Sequence, residues 1–424
     1  MKKFLNVKQT IESDVSKVMI FSPHEDDETI ACAGVIRRCI NNGNTTKLVM
    51  ITTGDYGNPK IRIQKTINSM ALLGLSKDNI VYLGYGDHDV LGPAYLSKDN
   101  PQKIFLGTYG SQTYGFPEIG IVDYHYSKYG IHAEYNRENI FNDILDVIES
   151  NLPEDIYMPS PMENHPDHSV TGIFVISAIL ELKKRLDYSP IIHEYMVYKE
   201  GLPQNNLNAL QSVLNIESHM DRTSPYSWCS RESIPVPDEM YASIESGNNL
   251  KSKAFDVYED DAAYFRRFIK SDEVFWKKQM SNLAYNATVA ASSQNTDTGQ
   301  YCTNVIDGII LGYPYENSLF TFYDKEWATL GEKSGAWIQL SWPTLIEANR
   351  IILYDRPNFD DHIIRGILTF SDGSEISVGP LPNNGSEYIV DFKAKTFNWV
   401  KLTVDRAEGY NIGISEFEVY YLNY

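Results

Sequence analysis

Two short segments carry residue types that could do chemistry together. Pro23-His24-Glu25-Asp26-Asp27-Glu28 sets one imidazole among four carboxylates, and Glu163-Asn164-His165-Pro166-Asp167-His168 adds two imidazoles and two carboxylates. Brought to one place, they hold the inventory of a metal site. Imidazole with carboxylate suits Zn²⁺, and three protein ligands with an open position for water is the catalytic form of such a site. A bound Zn²⁺ lowers the pKa of its water from about 15.7 towards about 7 and polarises a carbonyl. A carboxylate beside the ion can take the water's proton, and the metal and an imidazolium can share the charge that develops on an oxyanion. Taken singly, His24 would be a capping residue at a helix start, and Asp26 and Asp27 first-turn acids favoured by the helix dipole. Two histidine-rich clusters in matching positions argue against that reading.

The matching positions come from the elements around them. Lys17–Phe21 reads as a strand before the first cluster, with a helix over Glu28–Asn41 after it; Ile156–Pro159 and Ser169–Leu186 bracket the second in the same way. Between them strands at Lys47–Thr52 and Ile80–Leu83 alternate with helices at Ile61–Leu73 and Glu138–Ser150. This alternation predicts a Rossmann-like α/β domain, a parallel sheet in three layers with helices on both faces. Ligands of such sheets bind beyond the carboxyl ends of the strands, where both clusters fall. Gly86 to Arg137 breaks the pattern for about fifty residues, a length that usually marks a lid or binding loop. Its Tyr109, Tyr114, Phe116, Tyr124, Tyr126 and Tyr129 either fill a satellite core or form a wall against a ligand.

A last helical pattern spans Ala262 to Lys278, and from Asn282 the runs become short and alternating: Trp337–Trp342, Arg350–Tyr354, Ile367–Phe370, Glu375–Val378, Glu387–Phe392, Trp399–Val404 and Ile414–Tyr421. In Trp399–Val404, Val400, Leu402 and Val404 share one face, the period of a half-buried strand. With turn signals at Asp372-Gly373 and Asn384-Gly385, the segment predicts an all-β sandwich of the jelly-roll or discoidin-like kind. The expected domains are 1–281 and 282–424, in keeping with a length of 424 residues, more than one core usually serves.

A formal net charge of −19 excludes nucleic acid as a partner and disfavours an anionic membrane. The longest apolar run, Gly172 to Leu180, is about half of a membrane-spanning helix, so no transmembrane segment is expected. Residues 1–17 lack the apolar stretch of a signal peptide. Cys32 and Cys39, seven apart on one helix, stand roughly 10 Å apart and cannot bridge. The expected localisation is cytoplasmic, with an extracellular or cell-surface setting as the alternative if a signal was removed.

The paired signature resembles the PIG-L, or LmbE-like, N-acetylglucosaminyl deacetylases, whose His-Pro-Asp-Asp-Glu segment is followed later by His-Pro-Asp-His. The resemblance runs over residues 15–280 and takes in Thr53-Gly54-Asp55, Arg62 ahead of Leu73-Gly74, Leu83-Gly84-Tyr85 and the Lys253-to-Tyr258 stretch. It implies one catalytic Zn²⁺ held by His24, Asp27 and His168, with Asp26 as general base. His165 would stabilise the oxyanion or protonate the leaving amine, Asp167 would orient a histidine, and Arg62 would contact substrate. Three departures stand out: Glu25 replaces the usual Pro, Lys65 stands where a Glu is common, and no Tyr lies just before His165. The implied reaction is removal of acetyl from an N-acetylated sugar or glycan. The alternatives are a small-molecule amidase working on a thiol glycoside or antibiotic precursor, and a glycan-binding protein with a relic metal site.

The C-terminal part resembles the discoidin, or coagulation-factor-5/8 type C, domains and related carbohydrate-binding modules through Asn282-Leu283-Ala284, Ile306-Asp307-Gly308, Trp327, Gly335-to-Leu340 and Gly413-to-Tyr420. That resemblance implies sugar contacts from Tyr313, Tyr315, Phe320, Phe322 and Tyr323, and a structural Ca²⁺ on Asp307 and Glu416. A module that merely packs on the first domain is the alternative.

Overall fold

The computed structural model describes residues 16–87, 90–198, 210, 231–310, 322–358 and 360–422. The first part runs β1 (Lys17–Ser22), α1 (Asp27–Asn41), β2 (Thr45–Thr52), α2 (Pro59–Leu73), β3 (Ile80–Tyr85), α3 (Leu91–Leu96), α4 (Tyr124–Tyr129), α5 (Arg137–Asn151), β4 (Asp155–Pro159), α6 (Pro166–Leu186) and β5 (Ile191–Tyr195). It continues with β6 (Glu232–Pro235), α7 (Asp238–Tyr241), α8 (Leu250–Asp256), α9 (Ala262–Phe265) and β7 (Asp272–Gln279). Local chemistry sets the helix ends. The Asn58 side chain accepts the Ile61 N–H ahead of α2, Pro59 opens that helix, and Gly74 at φ 91° closes it.

The strands form one sheet in the order β3-β2-β1-β4-β5-β7-β6. Pairing is parallel from β3 to β5, while β7 runs antiparallel to both β5 and β6. The sheet is therefore mixed, not parallel throughout. The helix expected over Ala262–Lys278 ends early: α9 and a 3₁₀ turn at Arg266–Phe268 give way to β7. Val274 and Trp276 enter one core and Phe275 the other, the two-residue period of a strand held by partners distant in sequence.

The same alternation builds the three layers. Along β1, Met19 and Phe21 join the core under α5 and α6, while Val18 and Ile20 join the core under α1, α2 and α8. Cys32 and Cys39 are both buried as free thiols on α1.

The second part holds β8 (Thr288–Ala291), β9 (Trp327–Ala328), β10 (Trp337–Asp355), β11 (His362–Phe370), β12 (Glu375–Val378), β13 (Tyr388–Glu408) and β14 (Gly413–Tyr420), all antiparallel around a third core. Runs expected as separate short strands are joined in the long β10 and β13, whose pairing shifts register between Ser341 and Ile346 and between Ala348 and Arg350. Such irregularities bend a strand. The two parts share apolar packing, since Tyr285 and Ile309 belong to the core of the first. Lys278 donates to the Gly308 carbonyl, and the Tyr95 hydroxyl donates to Asp324 at 3.1 Å. The sandwich thus covers an apolar face of the α/β domain.

The residues expected to hold Ca²⁺ are otherwise engaged. Lys325 Nζ lies 3.1 Å from Asp307 Oδ2, so an ammonium already neutralises that carboxylate, and Glu416 accepts the Gly308 N–H at 3.1 and 3.2 Å. These contacts give a Ca²⁺ ion no support. Tyr313, Tyr315, Phe320 and the side chain of Phe322 lie outside the described residues; Tyr323 is exposed. Among the described residues no helix is long and apolar enough to cross a membrane.

Candidate active site

β1 and β4 are neighbours, but the chain leaves them in opposite directions, from β1 towards β2 and from β4 towards β5. This reversal opens a crevice beyond their carboxyl ends. His24 to Glu28 follow β1 directly, and His165 to His168 enter α6 just after β4.

Glu28 ties the first turn together. Its Oε2 accepts the Ser22 hydroxyl at 3.2 Å and the Asp26 N–H at 3.1 Å, and its Oε1 accepts the Tyr258 hydroxyl at 2.8 Å and the Thr29 hydroxyl at 2.9 Å. Lys65, one turn beyond Arg62 on α2, donates to the Tyr258 carbonyl at 3.3 Å and so holds the segment that supplies this tyrosine. The Tyr258→Phe variant should lose about 1–3 kcal/mol of stability, the usual loss when a buried acceptor is left short of a partner. Chemical denaturation checks this, and an unchanged midpoint and slope would remove Glu28 as the anchor.

The predicted ligand atoms converge. His24 Nδ1 lies 3.2 Å from His168 Nε2 and 3.3 Å from Asp27 Oδ2, and His168 Nε2 lies 3.0 Å from the same oxygen. Donors placed tetrahedrally at about 2.0–2.1 Å from a Zn²⁺ stand roughly 3.3 Å apart, so the three atoms fit the corners of such a site. The other oxygen of Asp27 is buried without a hydrogen-bond partner among the described residues. His24 turns its Nε2 to Asp167 Oδ2 and Asp87 Oδ1, each at 3.1 Å. That is how a ligating imidazole is oriented by carboxylates behind it. Two further triples of ligand-type atoms gather within 4.8 Å, His24/His165/His168 and His24/Asp87/Asp167. The second uses Nε2, the side of His24 turned away from His168.

Asp26 stands outside this cradle, its Oδ2 3.6 Å from the Arg62 guanidinium. Arg62 also approaches Glu25 Oε2 at 3.4 Å. The His165 ring packs on His24 and His168 at 4.7 and 5.1 Å between centroids, and its Nδ1 accepts the Asp167 N–H at 3.3 Å. That bond places the proton of neutral His165 on Nε2.

The electrostatics follow from burial and neighbours. Burial disfavours a charged His24, but Asp87, Asp167 and Asp27 outweigh it and raise its pKa. Burial would raise Asp27, yet His168 and His24 hold it well below the carboxylate range. Burial, then the charge of Asp27, raises Asp26. Burial pushes Glu25 up to about 8 against the pull of Arg62. Burial, followed by His168 and His24, lowers His165 to about 4.

Two neighbours, Asp87 and Tyr198, escape sequence reasoning. Asp87 comes two residues after β3, where only its place beyond a strand's carboxyl end could have flagged it. Tyr198 follows β5, and its ring lies 5.3 Å from that of His168 and 6.1 Å from that of His165. Buried Glu163 holds the Tyr198 N–H at 3.1 Å. Glu25 is buried against Gly54, where a Cβ would fall 2.0 Å from its Oε2, so glycine is required there.

The crevice and its two-histidine, one-carboxylate cradle define a Rossmann-like α/β domain with a candidate metal site at the carboxyl ends of its strands. Residues 19–179 match the PIG-L family, described as GlcNAc-PI de-N-acetylase. Residues 282–420 match a domain of unknown function, DUF7402. No curated protein sequence matches the chain. Among solved structures, the C-terminal part is similar to the family 32 CBM of C. perfringens NanJ in complex with galactose, at 19% identity over 32% of this chain and 94% of that one, with a TM-score of 0.25. A Streptococcus pneumoniae fucose binding module shows 19% identity, covering 34% and 99%, with a TM-score of 0.26. Chitosan-binding module 1 from a Paenibacillus sp. chitosanase/glucanase shows 23%, covering 33% and 98%, with a TM-score of 0.25.

Proposed function

We propose that the chain is a zinc-dependent hydrolase that removes the acetyl group from an N-acetylated amino sugar in a glycan or glycoconjugate. The observation that carries this reading is the convergence of His24 Nδ1, Asp27 Oδ2 and His168 Nε2 to within 3.0–3.3 Å of one another beside Asp26 and His165. The PIG-L match over residues 19–179 supports the same class of substrate.

His24, Asp27 and His168 would hold a Zn²⁺, which when bound would acidify a water and polarise the amide carbonyl. Asp26, next to the cradle, is the carboxylate placed to take a proton from the attacking water. Arg62, at 3.6 Å, keeps the Asp26 carboxylate in place and reaches towards substrate. His165, with its proton on Nε2, donates a hydrogen bond to the oxyanion. Asp167 and Asp87 fix the plane of His24. Retention of Asp26 beside a complete cradle speaks against a relic site, which has no need of a base.

Acetate release from N-acetylglucosamine and its oligomers, measured with metal content, tests the proposal. The expected result is one zinc per chain, acetate release, and loss of both in chelator. A zinc-loaded protein that frees no acetate from a panel of N-acetylated sugars would end this reading.

A further inference from the structure

Beside the cradle lies a cleft of about 530 Å³ that the chemistry above does not use. Asn58 and the first turn of α2 form one wall; Tyr109, Gln112, Tyr114 and Phe116 from the long loop form the other, with His132 at the side. Its size falls among pockets that hold small ligands, roughly 300–1,000 Å³.

Both walls run directly into the site. The Thr108 N–H bonds Asp55 Oδ2 at 3.3 Å, the other oxygen of Asp55 accepts the Asp87 N–H at 2.8 Å, and Asp87 faces His24. On the far wall the Arg62 N–H bonds the Asn58 carbonyl at 3.0 Å, so one helical turn separates the cleft from the arginine beside Asp26.

The long loop divides in two by role. Tyr124 and Tyr129 dock on α5 through hydrogen bonds to Asp146 at 3.1 and 2.8 Å, and Tyr124 packs against the core as in the satellite-core alternative, while Tyr129 stays exposed. Tyr109, Tyr114 and Phe116 instead form an edge-to-face row, with centroids 6.3 and 5.7 Å apart, that ends at Tyr109, 60% exposed. The row is held in advance: the Thr113 hydroxyl bonds Asp123 at 2.8 Å and the Thr113 N–H bonds the Ala133 carbonyl at 2.8 Å. Little ordering then remains to be done on binding. The charged groups here are matched, Lys60 with Glu118 at 2.8 Å and His132 with Asp123 at 2.8 Å. A net charge of −19 further disfavours an acidic polymer.

The exposed Tyr109 ring, backed by half-buried Tyr114 and Phe116 and flanked by amides and hydroxyls without a spare charge, suits a pyranose chain, whose C–H faces stack on rings while its hydroxyls meet polar groups. We propose that this cleft is a subsite for an uncharged oligosaccharide, binding the sugars next to the one presented to the cradle, so that the substrate is an oligomer. The last clause rests on the deacetylase reading; the binding does not.

The test uses the full-length zinc-loaded protein with a neutral five-sugar N-acetylglucosamine oligomer and the monomer, in wild type, Tyr109→Ala, Tyr109→Trp and Gln112→Ala. The ratio of kcat/KM for oligomer over monomer should fall about tenfold or more in Tyr109→Ala, the scale of losing an aromatic anchor, and recover in Tyr109→Trp. An unchanged ratio in both alanine variants overturns the subsite and leaves the deacetylase reading intact. If wild type releases no acetate from either compound, that reading fails, and calorimetric binding of the oligomer decides the subsite by itself. Affinity weakened about tenfold by Tyr109→Ala supports it; absent or unaltered binding overturns it.

Discussion

The His168→Ala variant is expected to fold, to bind less than a tenth of the wild-type zinc and to lose detectable deacetylation. His168 lies in the first turn of α6, fully buried, with Nε2 3.0 Å from Asp27 and 3.2 Å from His24. Its removal leaves two ligands where a catalytic zinc site uses three, and a space that water can enter. The effect is chemical rather than architectural, since α6 keeps Val170, Ile173 and Phe174 in the core. Metal analysis after dialysis, with a melting curve as the folding control, is the measurement. Stoichiometric zinc retained by a folded variant would remove His168 from the ligand set and point instead to the triple of His24, Asp87 and Asp167.

The Asp26→Asn variant is expected to keep its zinc while turnover falls by about two orders of magnitude or more, the scale of general-base catalysis. The substitution preserves shape, so Arg62 and the Glu28-bonded turn stay in place. It removes only the capacity to accept a proton. Because the three ligand atoms close on one another without Asp26, metal content should not change. Turnover near wild type in the zinc-loaded variant would strip Asp26 of its role, whereas loss of zinc would make it a ligand. The two variants together separate holding the ion from using it.

Much of the site was legible because its residues are local in sequence. Six residues after one strand and six after another carry the ligand types, and the apolar run Lys17–Phe21 already reads as a strand. Hydrophobic periodicity is a short-range property, so it survives without any knowledge of partners. The order of strands, the reversal between β1 and β4 and the resulting crevice are instead set by tertiary pairing.

Other features were decided only by the tertiary structure. β7 carries Val274, Phe275 and Trp276 in a run that reads equally well as a helix end, and pairing with β5 and β6 makes it a strand. Asp87 and Tyr198 are single residues in loops with no pattern, brought to the histidines by strands that end at the same rim. Glu25 stands in sequence only as a replacement for the usual Pro, and the fold buries it beside Gly54 with Arg62 3.4 Å away from another element. The resemblance of the C-terminal part implies a cation on Asp307 and Glu416, but Lys325 and the Gly308 N–H engage these carboxylates. In each case the deciding contact joins residues far apart in the chain, and local propensity carries no record of such a contact until the fold has closed.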